Sequence, residues 1–229
     1  ETTNRPLLMA NYPRLLINQN GPTGDPHVGG SSANTYTPQP TGTQAPLYDV
    51  PHHPSLGFMA YLVTGRWYFM EEVQFVATKN YLTMTDTIRQ AGLGIFSTQS
   101  AALTTRGVGW AMRTLAQAAT VTPDADTALR AAFLNCLASN IDYYHGVYVA
   151  QSNNPFGWVK PYSDYSGVGD KVFYEAPWMQ DFITAAYGYT KALTLPIPSA
   201  SLSRLDAFFA WKAKSVIGRL GDIGATEFL

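Results

Sequence analysis

The sequence predicts an all-α fold, built of helical hairpins in a partial or open α/α toroid behind an extended N-terminal arm. Three observations carry this. Apolar residues recur at helical spacing from about Pro54 to Ile217. A pattern of helix, short turn, helix and longer loop repeats about three times over that stretch. Composition changes sharply near residue 48, where a Pro-, Gly-, Thr-, Asn- and Gln-rich segment ends.

Residues 1–48 form the arm. Turn and loop formers dominate Asn18 to Ala45, and only Pro6–Met9 and Arg14–Ile17 have the pattern of short strands. Such an arm is expected to lie on another surface, of this domain or of a partner. The helical-hairpin domain spans 49–217. Pro54-Ser55-Leu56 opens its first helix, with proline in the first turn. Gly65 is placed to end that helix in the left-handed conformation. A second helix follows from about Trp67 to Leu82, with Glu71, Glu72 and Gln74 interrupting its apolar face. A third runs from Ala102 to Ala119 and a long fourth from Asp126 to Tyr148, divided by Val121-Thr122-Pro123-Asp124. A loop from Gln151 to Lys171 leads to a fifth helix starting at Ala176-Pro177-Trp178. Leu195-Pro196-Ile197-Pro198 breaks it, and Ser201 caps a sixth to about Val216. Residues 218–229 read as an irregular tail. A closed six-hairpin toroid needs roughly twice as many helices, so this chain would supply about half of one. Another chain or segment would complete it. The chain begins with Glu1 rather than Met, which points to a processed N-terminus or a fragment.

Composition narrows the function classes. Hydrophobic residues make up 46% and exclude general disorder. Charged residues make up only 14%, against about 25% in typical domains. Aromatics reach 13%, including 14 Tyr and 5 Trp, which suits sugar stacking, protein contact or simply a Tyr-rich core. A net charge of −1 with no basic run argues against nucleic acid. No apolar run reaches the roughly 18 residues that span a bilayer. The lone Cys136 sits in an apolar helical stretch and reads as a buried structural thiol; no Cys/His cluster suggests a metal, and no cofactor is expected. A periplasmic or extracellular setting is the expectation for its compartment.

The segment Thr105-Arg106-Gly107-Val108-Gly109-Trp110-Ala111-Met112-Arg113 resembles the Arg-Gly-x-x-Trp-Ala helix start of six-hairpin glycosidases, above all the unsaturated-uronide hydrolases. The architecture is shared with polysaccharide lyases. Asp49-x-x-His52-x-Pro54-Ser55, with the later Ala176-Pro177-Trp178-Met179-Gln180-Asp181, also looks like bacterial toroid-type proteins. The resemblance implies that the Arg106 segment opens an inner helix facing a substrate cleft, and that the domain acts on or binds an acidic polysaccharide or oligosaccharide. The paired carboxylates those hydrolases use have no evident counterpart here, which leaves lyase, hydrolase and binding alone open. A non-catalytic helical assembly module, its arm wrapping a partner, is the competing expectation.

Four clusters are candidates for the site. Asp49, His52 and His53 precede the first helix; His52 suits proton transfer, with Asp49 orienting it, and a capping turn is the plain alternative. Arg106 at a helix start, with Trp110 one turn on, offers a carboxylate fork beside a flat stacking surface. Glu175, Trp178, Gln180 and Asp181 surround the start of the fifth helix, where carboxylates are also ordinary dipole partners. Asp142, Tyr144, His145 and Tyr148 share helix faces in a Tyr–His arrangement similar to that of a lyase; packing is the alternative. His52, Arg106, His145, Glu175 and Asp181 are the expected catalytic residues. Asp49, His53, Trp110, Tyr144, Trp178 and Gln180 are the expected substrate contacts.

Overall fold

The computed structural model describes residues 5–16, 50, 54–98, 103–150, 157–159 and 177–221. Among them every regular element is helical: α1 (Gly57–Thr64), α2 (Trp67–Leu82), α3 (Thr105–Val121), α4 (Thr127–Tyr144), α5 (Pro177–Ala192) and α6 (Ser199–Leu220). No helix among these residues is long and apolar enough to cross a membrane.

Local chemistry sets most boundaries. Gly65 takes φ 64°, and its N–H returns to Tyr61 O at 2.7 Å, closing α1. The N-terminus of α1 is capped from another helix. Glu72 of α2 accepts from Gly57 N at 2.8 Å and from the Ser55 hydroxyl at 2.9 Å, placing a carboxylate at the positive end of α1. Gly57 is required there, because a Cβ would fall 2.3 Å from Phe69 O. The Thr104 hydroxyl accepts from Gly107 N at 3.1 Å and starts α3.

Contact order along the helices fixes their directions. Arg106 meets Trp178, Gly109 meets Phe182 and Ile183, and Gln117 meets Tyr189, so α3 and α5 run parallel. Asp142 pairs with Arg204, Tyr144 meets Phe208 and Tyr148 meets Trp211, so α4 and α6 are parallel too. Asp181 pairs with Arg219 and Lys191 with Asp206, so α5 and α6 are antiparallel. The α3–α4 and α5–α6 hairpins therefore repeat side by side. The first hairpin departs from this repeat: α2 lies on α3, and Gln74 Nε2 donates to Thr122 Oγ1 at 3.0 Å near the far end of α3.

The core centres on α3, whose small residues Gly107, Gly109, Ala111, Ala116 and Ala118 let neighbours approach closely. An aromatic cluster of Tyr144, Tyr148, Tyr187, Phe208 and Trp211 fills the space between the two hairpins, with ring centroids 4.4–5.9 Å apart. One stripe of α4 anchors the α2–α3 connection. Asn140 Nδ2 donates to Gly94 O, Asn140 Oδ1 accepts from Phe96 N at 2.7 Å, and the Tyr144 hydroxyl donates to Phe96 O at 2.7 Å.

Three expectations need correction. The Pro6–Met9 and Arg14–Leu16 stretches form no strands; the chain turns after the first and into the second, with Asn11 N bonding to Leu8 O, Tyr12 N to Met9 O and Leu15 N to Tyr12 O. Met9 is buried in the core, so this part of the arm lies on the domain itself. The sixth helix begins at Ser199, directly after Pro198, and runs through Leu220, past the Val216 end expected from the sequence. The fourth helix ends as an α-helix at Tyr144 and continues as a π turn, His145–Val149, with Ala150 N bonding to His145 O.

Candidate functional site

The helix directions bring several predicted residues to one end of the array. The N-termini of α3 and α5 lie there, together with the C-terminal ends of α4 and α6. Arg106, His145, Trp178 and Asp181 all occupy this end. Asp49, His52, His53 and Glu175 lie outside the described residues.

The geometry separates these residues by what they touch. The Arg106 guanidinium lies 5.7 Å from the centroid of the Trp178 ring, which is 51% exposed. Trp110 packs against Phe182 with centroids 4.7 Å apart and carries the Arg113 guanidinium 4.1 Å over its ring. Trp110 is thus a shared wall rather than a bare platform; Trp178 has the open face. Asp181 is bound by the Arg219 guanidinium through both carboxylate oxygens. His145 is half-buried at the first residue of the π turn.

Two predicted substrate contacts are core residues instead. Tyr144 is fully buried, its hydroxyl engaged by Phe96 O, and burial holds its phenol well above the usual range. Gln180 is also fully buried. Its Oε1 accepts from Val159 N at 2.9 Å and from Lys212 Nζ at 2.6 Å, while its Nε2 donates to Val159 O at 2.8 Å. Lys212 Nζ further donates to Gly157 O at 2.8 Å. These two side chains clamp residues 157–159 against α5 and α6, so no ligand reaches Gln180 in this arrangement.

The α3–α5 interface adds residues that the sequence did not single out. Arg106, Trp110, Arg113 and Gln117 follow one another on α3 at intervals of three or four; Trp178, Phe182 and Tyr189 face them from α5. All but the buried Gln117 are half-buried or exposed. The result is a seam of alternating guanidinium and aromatic groups. Arg106 and Arg113 are separated by about 10 Å along the axis, from the helical rise. Arg113 Nε is buried with no hydrogen-bond partner among the described residues. The spacing within α3 was a usable signal; the alignment with residues some seventy positions away was not. No group of three or more acidic, His or Cys side chains suited to a metal occurs among the described residues.

Comparison with known protein families, curated proteins and solved structures found no match.

Proposed function

We propose that the protein binds an acidic polysaccharide or oligosaccharide along the α3–α5 seam, as part of an α/α toroid-like array. The observation that carries this reading is the alternation of Arg106 and Arg113 with Trp178, Trp110, Phe182 and Tyr189 along two parallel helices. Guanidinium forks match carboxylates, and aromatic walls match the C–H faces of pyranose rings. The positive ends of α3 and α5 favour the same anion. A lyase or hydrolase reaction at this seam would draw its proton transfer from His145, which sits at the same end. The paired Asp181 is better suited to holding α5 and α6 together.

Titration with oligogalacturonate at low salt should give saturable binding that Arg106→Ala weakens at least tenfold and Arg113→Ala by a similar factor. Binding should fall as salt rises. An absorbance rise from a new double bond during incubation with polymer would identify a lyase. Equal binding by wild type and both variants would overturn the reading.

A second reading rests on a different observation. The outer face of α1 exposes Leu56, Met59, Leu62 and Val63, the last 81% exposed, beside Tyr68 at 73%. A contiguous apolar face of this kind is uncommon on a lone domain. It suits a further helical hairpin, from another chain or from elsewhere in the same protein, extending the array as α5–α6 extends α3–α4. Light scattering should show self-association or capture of added hairpins at micromolar concentration, reversed by Leu62→Glu. A strictly monomeric protein that Leu62→Glu leaves unchanged would remove this reading.

A further inference from the structure

A second candidate binding place lies at the opposite end of the array from the seam's Arg106 end. An open cavity of about 440 Å³ is lined by the first turns of α2, the Pro123–Asp126 turn after α3, and Arg5-Pro6 of the N-terminal segment. Its volume falls in the ordinary range for small-molecule sites, roughly 300–1,000 Å³.

The walls combine two kinds of surface. Trp67 is 61% exposed, and its indole N–H donates to Glu71 Oε1 at 3.2 Å, one helical turn on, which holds the ring in place. Met70, almost fully buried, and Pro123 continue the apolar surface. The Glu71 and Asp126 carboxylates and the Gln74 amide supply the polar edge. Gln74 is itself held by its bond to Thr122, so its amide is preset. Arg5 pairs with Asp126 and neutralises it, leaving Glu71 as the carboxylate with no ion pair among the described residues. The lining is therefore net acidic, opposite in sign to the seam. An anionic ligand is repelled here.

We propose that this cavity binds a neutral pyranose unit, stacked on Trp67, with its hydroxyls donating to Glu71 and Asp126 and accepting from the Gln74 amide. A pyranose has the matching pattern: an apolar C–H face and a rim of hydroxyls. The ligand class rests on the saccharide reading of the seam, while the site and its residues are separate from it. A chain carrying both neutral and acidic sugars would then meet two places of opposite charge at opposite ends of the fold.

Neutral trisaccharides (xylotriose, cellotriose and mannotriose), chitosan trisaccharide and oligogalacturonate are titrated separately into the whole chain, followed by calorimetry and by indole N–H shifts. At least one neutral trisaccharide should bind. Arg106→Ala should retain that binding, whereas Trp67→Ala should weaken it at least tenfold and Glu71→Gln several-fold. Trp67→Ala should keep its thermal transition, since the side chain is largely exposed, and should keep oligogalacturonate binding. Loss of oligogalacturonate binding in every protein, with neutral binding still dependent on Trp67, would sink the seam and spare this cavity. No neutral sugar bound at millimolar concentration, preference for the cationic trisaccharide, or neutral binding indifferent to Trp67→Ala would each overturn the proposal.

Discussion

Raising the pH above about 9 should destabilise the protein progressively, with cooperative loss of helix between roughly pH 10 and 12. The cause is a set of acids that the fold holds in their neutral form. Burial pushes the Cys136 thiol up to about 12, only partly offset by its contact with Asn140. Burial also raises the Tyr81, Tyr144 and Tyr187 phenols; Tyr144 is raised further by Tyr187, Tyr148 and Tyr143, and Tyr187 by Tyr148 and Tyr143. The sign follows directly. Each group binds its proton more tightly in the folded state than in the unfolded one. Its contribution is complete below the unfolded value, near 9 for the thiol and 10 for the phenols, and is lost as pH rises toward the folded value. Each group removes about 1.4 kcal/mol per pH unit in its window. Four together remove several kcal/mol per unit above pH 10, against a typical total stability of about 5–15 kcal/mol. Phenolate absorbance and helical circular dichroism, followed together, test this. Exposed tyrosines should ionise first, and the buried set should ionise only within the unfolding step. Tyr187→Phe should flatten the pH slope. Ionisation of all 14 tyrosines near pH 10 with helix intact would contradict it.

The same buried groups show where the sequence was legible and where it was not. Helix spans depended on short-range signals, and most were readable: Gly65 ending α1 and Pro177 opening α5, whereas α3 starts at Thr105 behind its Thr104 cap rather than at Ala102. Arg106 with Trp110 was likewise readable as one helical face. Tyr144 and Gln180 were misread because a polar side chain carries no local mark of burial. Their partners, Phe96 and Val159, lie 48 and 21 residues away. Lys212 shows the converse. A lysine is ordinarily exposed, yet this one is fully buried because Gly157 O and Gln180 Oε1 supply acceptors that only the folded chain brings together. Arg113 was part of the motif, but its place in the seam depends on α5 lying parallel to α3. Periodicity says that α5 is a helix and nothing about its neighbour. The cavity by Trp67 had a partial signal in the Trp67–Glu71 spacing; its other wall comes from Pro123 and Asp126, which the turn after α3 delivers.

Arg89→Met should cost about 3–5 kcal/mol of stability, the range for removing one partner from a buried charged network. Arg89 is fully buried and meets no carboxylate at hydrogen-bonding distance among the described residues; its guanidinium is spent on backbone carbonyls. Nη1 donates to Met84 O at 2.5 Å, Nη2 to Pro13 O at 2.6 Å and Nε to Ala91 O at 3.3 Å. The surrounding backbone needs these donors. Gln90 and Ala91 both take left-handed φ values, 55° and 51°, where the chain reverses into the short 3-10 turn Ala91–Leu93. The planar fork of arginine reaches three carbonyls in different directions, which the apolar methionine side chain cannot do. Methionine of similar length would fill the space and leave three carbonyls without these donors, the Met84 one buried and the Pro13 and Ala91 ones part-buried. The loss should appear as a lower denaturant midpoint and a fall in melting temperature of roughly 10 °C. Arg89→Lys should recover only part of it, since one ammonium cannot span the same three acceptors. The contact with Pro13 adds a local consequence. The amides of Asn11, Tyr12 and Leu15 should lose hydrogen-exchange protection in Arg89→Met before the helices do, because this guanidinium joins their segment to the turn after α2. A variant within about 1 kcal/mol of wild type, with Asn11, Tyr12 and Leu15 still protected, would show that packing of Leu7, Leu8, Met9 and Leu15 holds the segment.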